Sequence, residues 1–341
     1  MEGRLINTSM SSRGWSFYSD DAHCPALPFA KGRTLTTPYG KHRPDDENTA
    51  EPLVKGTMGH VLQSHYLARI GCEQGGLFVA GEWSTTASDW LGPHDALDAY
   101  IDINPHAAAY RDQMHDTFAG YLDRHPEAPG RVRSVETEHY GVIGTKAGKW
   151  GYWAIDPLMA DYLRKPVAEH PMGLLAADGA VIDCSPLNVP GHPEHGYPVW
   201  MSRRSDADIE IDRRVIIFDH KHQAFVKPSE LNKNYSLIDG FCAFRHLGSQ
   251  VYGRSFGGVW IQAIQVGSGY TARVALKPTP ARDATFAIRL WLRAHEMFGR
   301  QVACPTGVDY RGWRGDTKNC WRYKEPCEGL EFCFGVRADE L

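Results

Sequence analysis

The run Ser205-Asp206-Ala207-Asp208-Ile209-Glu210-Ile211 leads, through a turn carrying two arginines, into Val215-Ile216-Ile217-Phe218-Asp219-His220-Lys221. Val215 to Phe218 is a wholly apolar run, the pattern of a buried strand, and it delivers an acid and a base together at its end. Asp219 and Lys221 lie two positions apart and so project from one face of that strand. Pairing of the two runs as a hairpin sets Asp206, at the start of the first, close to the end of the second. Asp208 is the alternative acid. Asp206 is preferred because it leaves 13 positions to Asp219, the closer match to a hairpin.

Carboxylates gathered in this way hold a divalent cation, and a lysine beside them can act on a water molecule. Hydrolysis of a phosphodiester needs that combination, because its transition state accumulates negative charge. An isolated Asp-x-Lys is more often a solvated strand end. The buried strand that carries this one favours a site.

The chain has 341 residues, enough for one large domain or two modest ones, and its 42% hydrophobic content is that of a globular protein. No apolar run reaches the roughly 18 residues of a membrane span, and Met1 to Trp15 lacks the pattern of a signal peptide. A cytoplasmic protein with no membrane partner is expected. The net charge of -4 gives no general attraction to nucleic acid, so any such binding rests on local basic patches. Eight cysteines without an export signal point to metal binding or buried thiols rather than disulfides.

Residues 1 to 55 read as a loop-rich lead-in with a short anchored segment near Phe17 to Phe29. Helical spacing marks Gly56 to Ile70 and Ala107 to Leu122, and Arg131 to Tyr140 reads as a strand. Seven prolines between Pro157 and Pro198 make Gly141 to Trp200 an irregular insertion. After the hairpin come a helical stretch, Leu237 to Tyr252, strands at Gly258 to Gln265 and Tyr270 to Leu276, and a helix from Arg282 to Phe298. The order predicts an α/β fold, a mixed central sheet flanked by helices, over residues 56 to 300. Residues 301 to 341 form a cysteine-rich tail.

That tail holds Cys320, Cys327 and Cys333, with gaps of six and five residues. Three thiols so close ask for a fourth ligand, and Cys24 or Cys304 can supply it. Cys304 with the last three would make a self-contained zinc site. Cys72, Cys184 and Cys242 are isolated and read as small buried hydrophobes.

Ser16-Phe-Tyr-Ser-Asp-Asp-Ala-His-Cys24-Pro25, Gly56-Thr-Met-Gly-His60, Asp206, Asp219-His220-Lys221 and the late cysteines follow one another in the order seen in RecB-like PD-(D/E)XK nucleases. The chain resembles in particular the members with a cysteine staple, including phage-encoded and CRISPR-associated exonucleases. The resemblance implies a restriction-endonuclease-like core and exonuclease hydrolysis of DNA, single strands or duplex ends, in recombination or repair, beside a recombination or replication partner. It implies Mg²⁺ or Mn²⁺ held by His60, Asp206 and Asp219, with the backbone carbonyl of His220, and Lys221 acting on the attacking water. Glu136 matches a supporting strand. Cys24, Cys320, Cys327 and Cys333 match the ligands of a [4Fe-4S] cluster, with structural Zn²⁺ as the alternative. The glutamine that such enzymes often carry after the lysine is missing from Asn234 to Phe241. A DNA-end-binding protein without catalysis, or a zinc-containing hydrolase of another class, are the competing readings.

Other motifs carry less. His192, His195 and His222 read as loop polar residues, since His192-Pro-Glu-His195 lacks the helical spacing of a zinc protease. Gly144 to Lys149 is one residue short of a phosphate loop and lacks its hydroxyl residue. Arg311, Trp313, Arg314, Lys318, Trp321, Arg322 and Tyr323 form a basic, aromatic set suited either to stacking on a single strand or to a solvated surface.

Overall fold

The structure is a computed structural model, and it describes residues 5–7, 51–75, 90–154, 165–169, 173–176, 179–231, 235–275, 280–303, 321–322 and 325–326. In chain order the elements are β1 (Leu5–Asn7), α1 (Glu51–Glu73), α2 (Pro93–Ile103), α3 (Arg111–Arg124), β2 (Arg131–Lys146), β3 (Lys149–Ala154), β4 (Leu174–Leu175), β5 (Val181–Cys184), β6 (Trp200–Ile211), β7 (Arg214–Gln223), α4 (Pro228–Leu231), α5 (Tyr235–Tyr252), β8 (Phe256–Gln265), β9 (Thr271–Ala275), α6 (Pro280–Ala303), β10 (Trp321–Arg322) and β11 (Glu325–Pro326). The fold is mixed α/β, as the sequence predicts. The chain divides into two compact units, one of residues 42–139 and 204–279, the other of residues 1–41, 140–203 and 280–341.

The first unit carries the expected hairpin. β6 and β7 pair antiparallel from Ala207 opposite Phe218 to Ile211 opposite Arg214. The two residues left for the turn are Asp212 and Arg213, with φ of 50° and 64°. Left-handed backbone at both turn positions matches the right-handed twist of the strands. The turn is therefore Asp212-Arg213, and Arg214 already belongs to β7. β8 lies parallel to β7, with Asp219 opposite Ile261, and β9 returns antiparallel to β8. Parallel neighbours need a crossover, and α5 provides it. The sheet of this unit thus runs β2-β6-β7-β8-β9.

Alternation along β7 serves both faces of the sheet. Ile216 and Phe218 pack with Leu67 and Ala68 of α1, Val132 and Val135 of β2, and Ala207 and Ile209 of β6. Ile217, on the opposite face, packs with Phe244 of α5 and with Val259 and Ile261 of β8. Helices cover both faces, which is why the run Val215 to Phe218 is apolar at every position. α1 buries Val54, Met58 and Leu62 against Leu97, Met114 and Phe118 of the next two helices. The predicted single helix from Ala107 opens instead as a 3-10 turn over Pro105–Tyr110 before α3. Asn104 closes α2 with backbone N–H bonds to Tyr100 and Ile101, so the chain reverses within a tight turn.

In the second unit, residues 140–203 are not the irregular stretch that their prolines suggest. β2 continues to Lys146 and pairs with β3 along six positions, from Gly141 opposite Ala154 to Lys146 opposite Lys149. β5 pairs on the other side at Gly144 and Thr145, and β4 adds to β5. The described prolines fall between these strands, where no ladder N–H is needed. Val142, Leu174, Ile182, Cys184 and Trp200 form the core here. Residues 144–149, the near-match to a phosphate loop, are a hairpin whose turn is Ala147-Gly148. α6 sets Trp291 edge-on to Trp150 of β3, with ring centres 5.8 Å apart.

Candidate functional site

The hairpin ladder stops at Ala207 opposite Phe218, one position short of Asp206 and Asp219. Where the ladder ends, the backbone N–H of His220 has no strand partner in β6, and the Asp206 carboxylate accepts it at 2.5 Å. Asp206 therefore replaces a carbonyl at the frayed end of the hairpin and is fixed by the strand that carries the second acid. Burial opposes ionisation of Asp206, but the charges of His60 and Lys221 and the His220 N–H outweigh it and hold the carboxyl below its usual range. Lys221 Nζ lies 2.7 Å from Asp219 Oδ2, the same-face pairing that their spacing predicts. Its ammonium also donates to the His220 carbonyl at 3.3 Å.

His60 comes from α1. Its Nδ1 stands 3.6 Å from Asp206 Oδ1. Close approach of α1 to β7 depends on the preceding residue, Gly59. A Cβ at Gly59 would lie 2.4 Å from ring atoms of His222, whereas one at Gly56 would meet nothing within 4 Å. His222 is thus no loop residue. It lies on β7, with its ring edge-on to His60 and the centres 5.9 Å apart. Burial pushes His220 down to about 4 and His222 well below its ordinary value. Both imidazoles are neutral at pH 7.

Sequence reasoning assigned Glu136 only a supporting strand. The structure brings it into the site: one ligand atom each from His60, Glu136 and Asp206 lies within 4.8 Å of the others. The backbone of Glu136 is left-handed, with φ of 51°, inside β2. A non-glycine residue held there costs about 1 to 3 kcal/mol, and such positions cluster at functional sites. Arg204 of β6 donates to Glu136 Oε2 through Nε at 2.5 Å and approaches the same oxygen through its terminal nitrogen. Burial raises the Glu136 carboxyl despite that guanidinium. Asp219, directed at Lys221, is not part of this three-residue group.

Asp208, the alternative acid, serves a different purpose. It is fully buried, and its Oδ2 accepts from Ser134 at 2.8 Å and from Tyr252 at 2.6 Å, with His139 Nε2 at 3.1 Å. These contacts tie β2, β6 and the end of α5 together. Ser205, His139 and Asp208 are the residue types of a hydrolase triad. The same His139 nitrogen meets Ser205 at 3.2 Å and Asp208, and Ser205 is wholly buried, so the set cannot relay a proton from a nucleophile to an acid.

Cys24, Cys304, Cys320, Cys327 and Cys333 lie outside the described residues, as do Arg311, Trp313, Arg314, Lys318 and Tyr323 and the Phe17 to Phe29 segment. Of the isolated cysteines, Cys184 and Cys242 are buried and Cys72 is partly so. Burial pushes the Cys184 thiol up to about 12, the state of an inert core group. His192 is buried in a turn, its Nδ1 accepting the Glu194 N–H at 3.0 Å. Among the described residues no helix is long and apolar enough to cross a membrane. No protein-family model matches the chain, and no curated protein does.

Proposed function

We propose that this protein is a divalent-metal-dependent deoxyribonuclease of the PD-(D/E)XK type, an exonuclease acting on single-stranded DNA or duplex ends in recombination or repair. The observation that carries the reading is the convergence of His60, Asp206, Asp219 and Lys221, from a helix and two strands, on one hairpin end. These are the residues that the resemblance assigns to the metal and to the attacking water. The mixed sheet flanked by helices suits a restriction-endonuclease-like core.

An imidazole and two carboxylates are a fitting donor set for Mn²⁺ or Mg²⁺. Bound there, such an ion supplies charge stabilisation for the transition state. Every other part belongs to the chain. Asp206, ionised and pinned by the His220 N–H, holds a fixed negative charge. Lys221, its ammonium paired with Asp219, would orient the attacking water by donating to it. His60 offers Nδ1 toward Asp206, and the neutral rings of His220 and His222 fill the space behind without adding charge. Cys24 of the lead-in, with Cys320, Cys327 and Cys333 of the tail, would hold a [4Fe-4S] cluster, or Zn²⁺ in its place. DNA, a recombination or replication partner, and a cytoplasmic setting belong to the same proposal. Release of end-labelled nucleotides in Mn²⁺, lost on Asp206→Asn, tests it.

A second reading keeps the fold and DNA-end binding without cleavage. The ion pair of Asp219 with Lys221, and the place of Asp219 outside the His60–Glu136–Asp206 group, favour it. Binding of DNA ends by a protein that never cleaves them would select it.

A further inference from the structure

We propose that Glu136 is a protein ligand of the divalent cation, completing a His60–Glu136–Asp206 site, and that Arg204 is the residue that positions its carboxylate. The inference rests on the metal-dependent reading of this site, and it assigns a residue that the motif pattern leaves in a supporting role. Three observations carry it.

The first is distance and chemistry. Donors on opposite sides of a cation bound at 2.0 to 2.1 Å lie roughly 4 Å apart. The ligand atoms of His60, Glu136 and Asp206 already fall within 4.8 Å of one another, so small side-chain rotations bring all three onto one ion. Two carboxylates balance the charge of a divalent cation, and the imidazole favours a transition ion such as Mn²⁺ over Mg²⁺.

The second is the backbone. Thr137 and Val135 flank Glu136 in a strand, and strand geometry alone would leave Glu136 extended. Its φ of 51° instead redirects the side chain. An ion pair made only for stability would not require glutamate in a conformation that glycine adopts at less cost.

The third is the way Arg204 binds. Both of its described contacts with Glu136 end on Oε2. The second oxygen, Oε1, takes no part in that pair, so the guanidinium can fix the carboxylate while Oε1 meets the ion. Arg204 thus resembles the partners that orient metal-bound carboxylates elsewhere.

The experiment compares Mn²⁺ binding, by electron paramagnetic resonance of the free ion and by the rise in melting temperature with added Mn²⁺, in the full chain without DNA. The proteins are wild type, Glu136→Gln, Arg204→Gln and Asp206→Asn. Glu136→Gln and Arg204→Gln break the same ion pair, so if Glu136 acts only through that pair and exerts nothing on the ion, both loosen the site alike. A ligand role separates them. Glu136→Gln is expected to weaken Mn²⁺ at least ten-fold, as Asp206→Asn does, while Arg204→Gln stays within about three-fold of wild type, because losing a nearby positive charge offsets the looser carboxylate. Wild-type affinity in Glu136→Gln, or equal weakening in the two pair variants, would overturn the proposal, as would a wild-type protein that binds no Mn²⁺. Cleavage is scored separately. Glu136-dependent Mn²⁺ binding by a protein that leaves DNA intact would retain this site and remove the nuclease reading. Cleavage of DNA with unaltered Mn²⁺ binding in Glu136→Gln would do the reverse.

Discussion

Asp206 reaches past the end of the β6–β7 ladder to the backbone N–H of His220, 2.5 Å away, and so ties the first acid of the site to the strand carrying the second. The contact makes the site a property of the hairpin register. A slip of one residue would turn Asp219 and Lys221 to the face now held by Phe218 and His220. Asp206→Ala is therefore expected to do two things. On the proposed nuclease reading it removes a charge from the metal site, lowering metal-dependent cleavage by about 100-fold or more, as loss of one electrostatic group in an active site does. It also frees a buried N–H, lowering stability by about 1 to 3 kcal/mol. Asp206→Asn keeps an acceptor and should show the first effect with less of the second, checked by urea unfolding beside the cleavage assay.

Gly59 and Gly56 make a paired test of the packing of α1 on β7. A methyl group at Gly59 meets the His222 ring at 2.4 Å, so Gly59→Ala should destabilise the protein by about 1 to 3 kcal/mol. Gly56 has open space around its Cβ position, so Gly56→Ala should stabilise by about 0.5 to 1 kcal/mol through helix propensity. Adding His222→Ala to Gly59→Ala should recover part of the loss. Thermal melts of the four proteins decide it, and equal effects at the two glycines would contradict the packing.

Buried neutral histidines give a defined pH dependence. His220 has its folded pKa depressed to about 4, so protonation favours the unfolded chain. Its neutral form is accommodated without penalty above the unfolded value near 6.5, and stability falls as pH drops from there toward 4. The loss from this one group is on the order of 3 kcal/mol. His220→Gln should flatten the fall in urea midpoint between pH 7 and pH 4.5, and an unchanged slope would show that the ring is not the responsible group.

The proposed cluster of Cys24 with Cys320, Cys327 and Cys333 predicts a visible cofactor. Anaerobically purified protein should be brown and contain iron and sulfide in equal amounts, and Cys24→Ser should bleach it while Cys304→Ser leaves the colour. A colourless protein with one zinc, or the opposite ranking of the two substitutions, would move the fourth ligand or the metal.

The hairpin was legible because two signals agreed there: an apolar run of buried-strand length and an acid and base at a spacing of two. The helices α1, α5 and α6 were legible from their periodicity, and Asp206 was separated from Asp208 by its distance to Asp219. Two features left no trace. The left-handed turn at Glu136 falls on a residue type with no preference for it, so Val135-Glu136-Thr137-Glu138 reads as ordinary strand. The prolines of residues 140–203 begin only at Pro157, so reading the whole stretch by them hid the proline-free β2–β3 hairpin and its pairing with β5. His222 was misplaced for a related reason. Its role comes from Gly59, more than 160 positions away, and nothing local announces that contact.

The most direct test is digestion of end-labelled linear and closed circular DNA, single- and double-stranded, in Mn²⁺ by wild type, Asp219→Ala and Lys221→Ala. Degradation of the linear substrates by wild type, abolished in both variants and absent on closed circles, is the predicted result. Intact DNA after incubation with folded, metal-loaded wild type, or cleavage that survives both substitutions, would contradict the account.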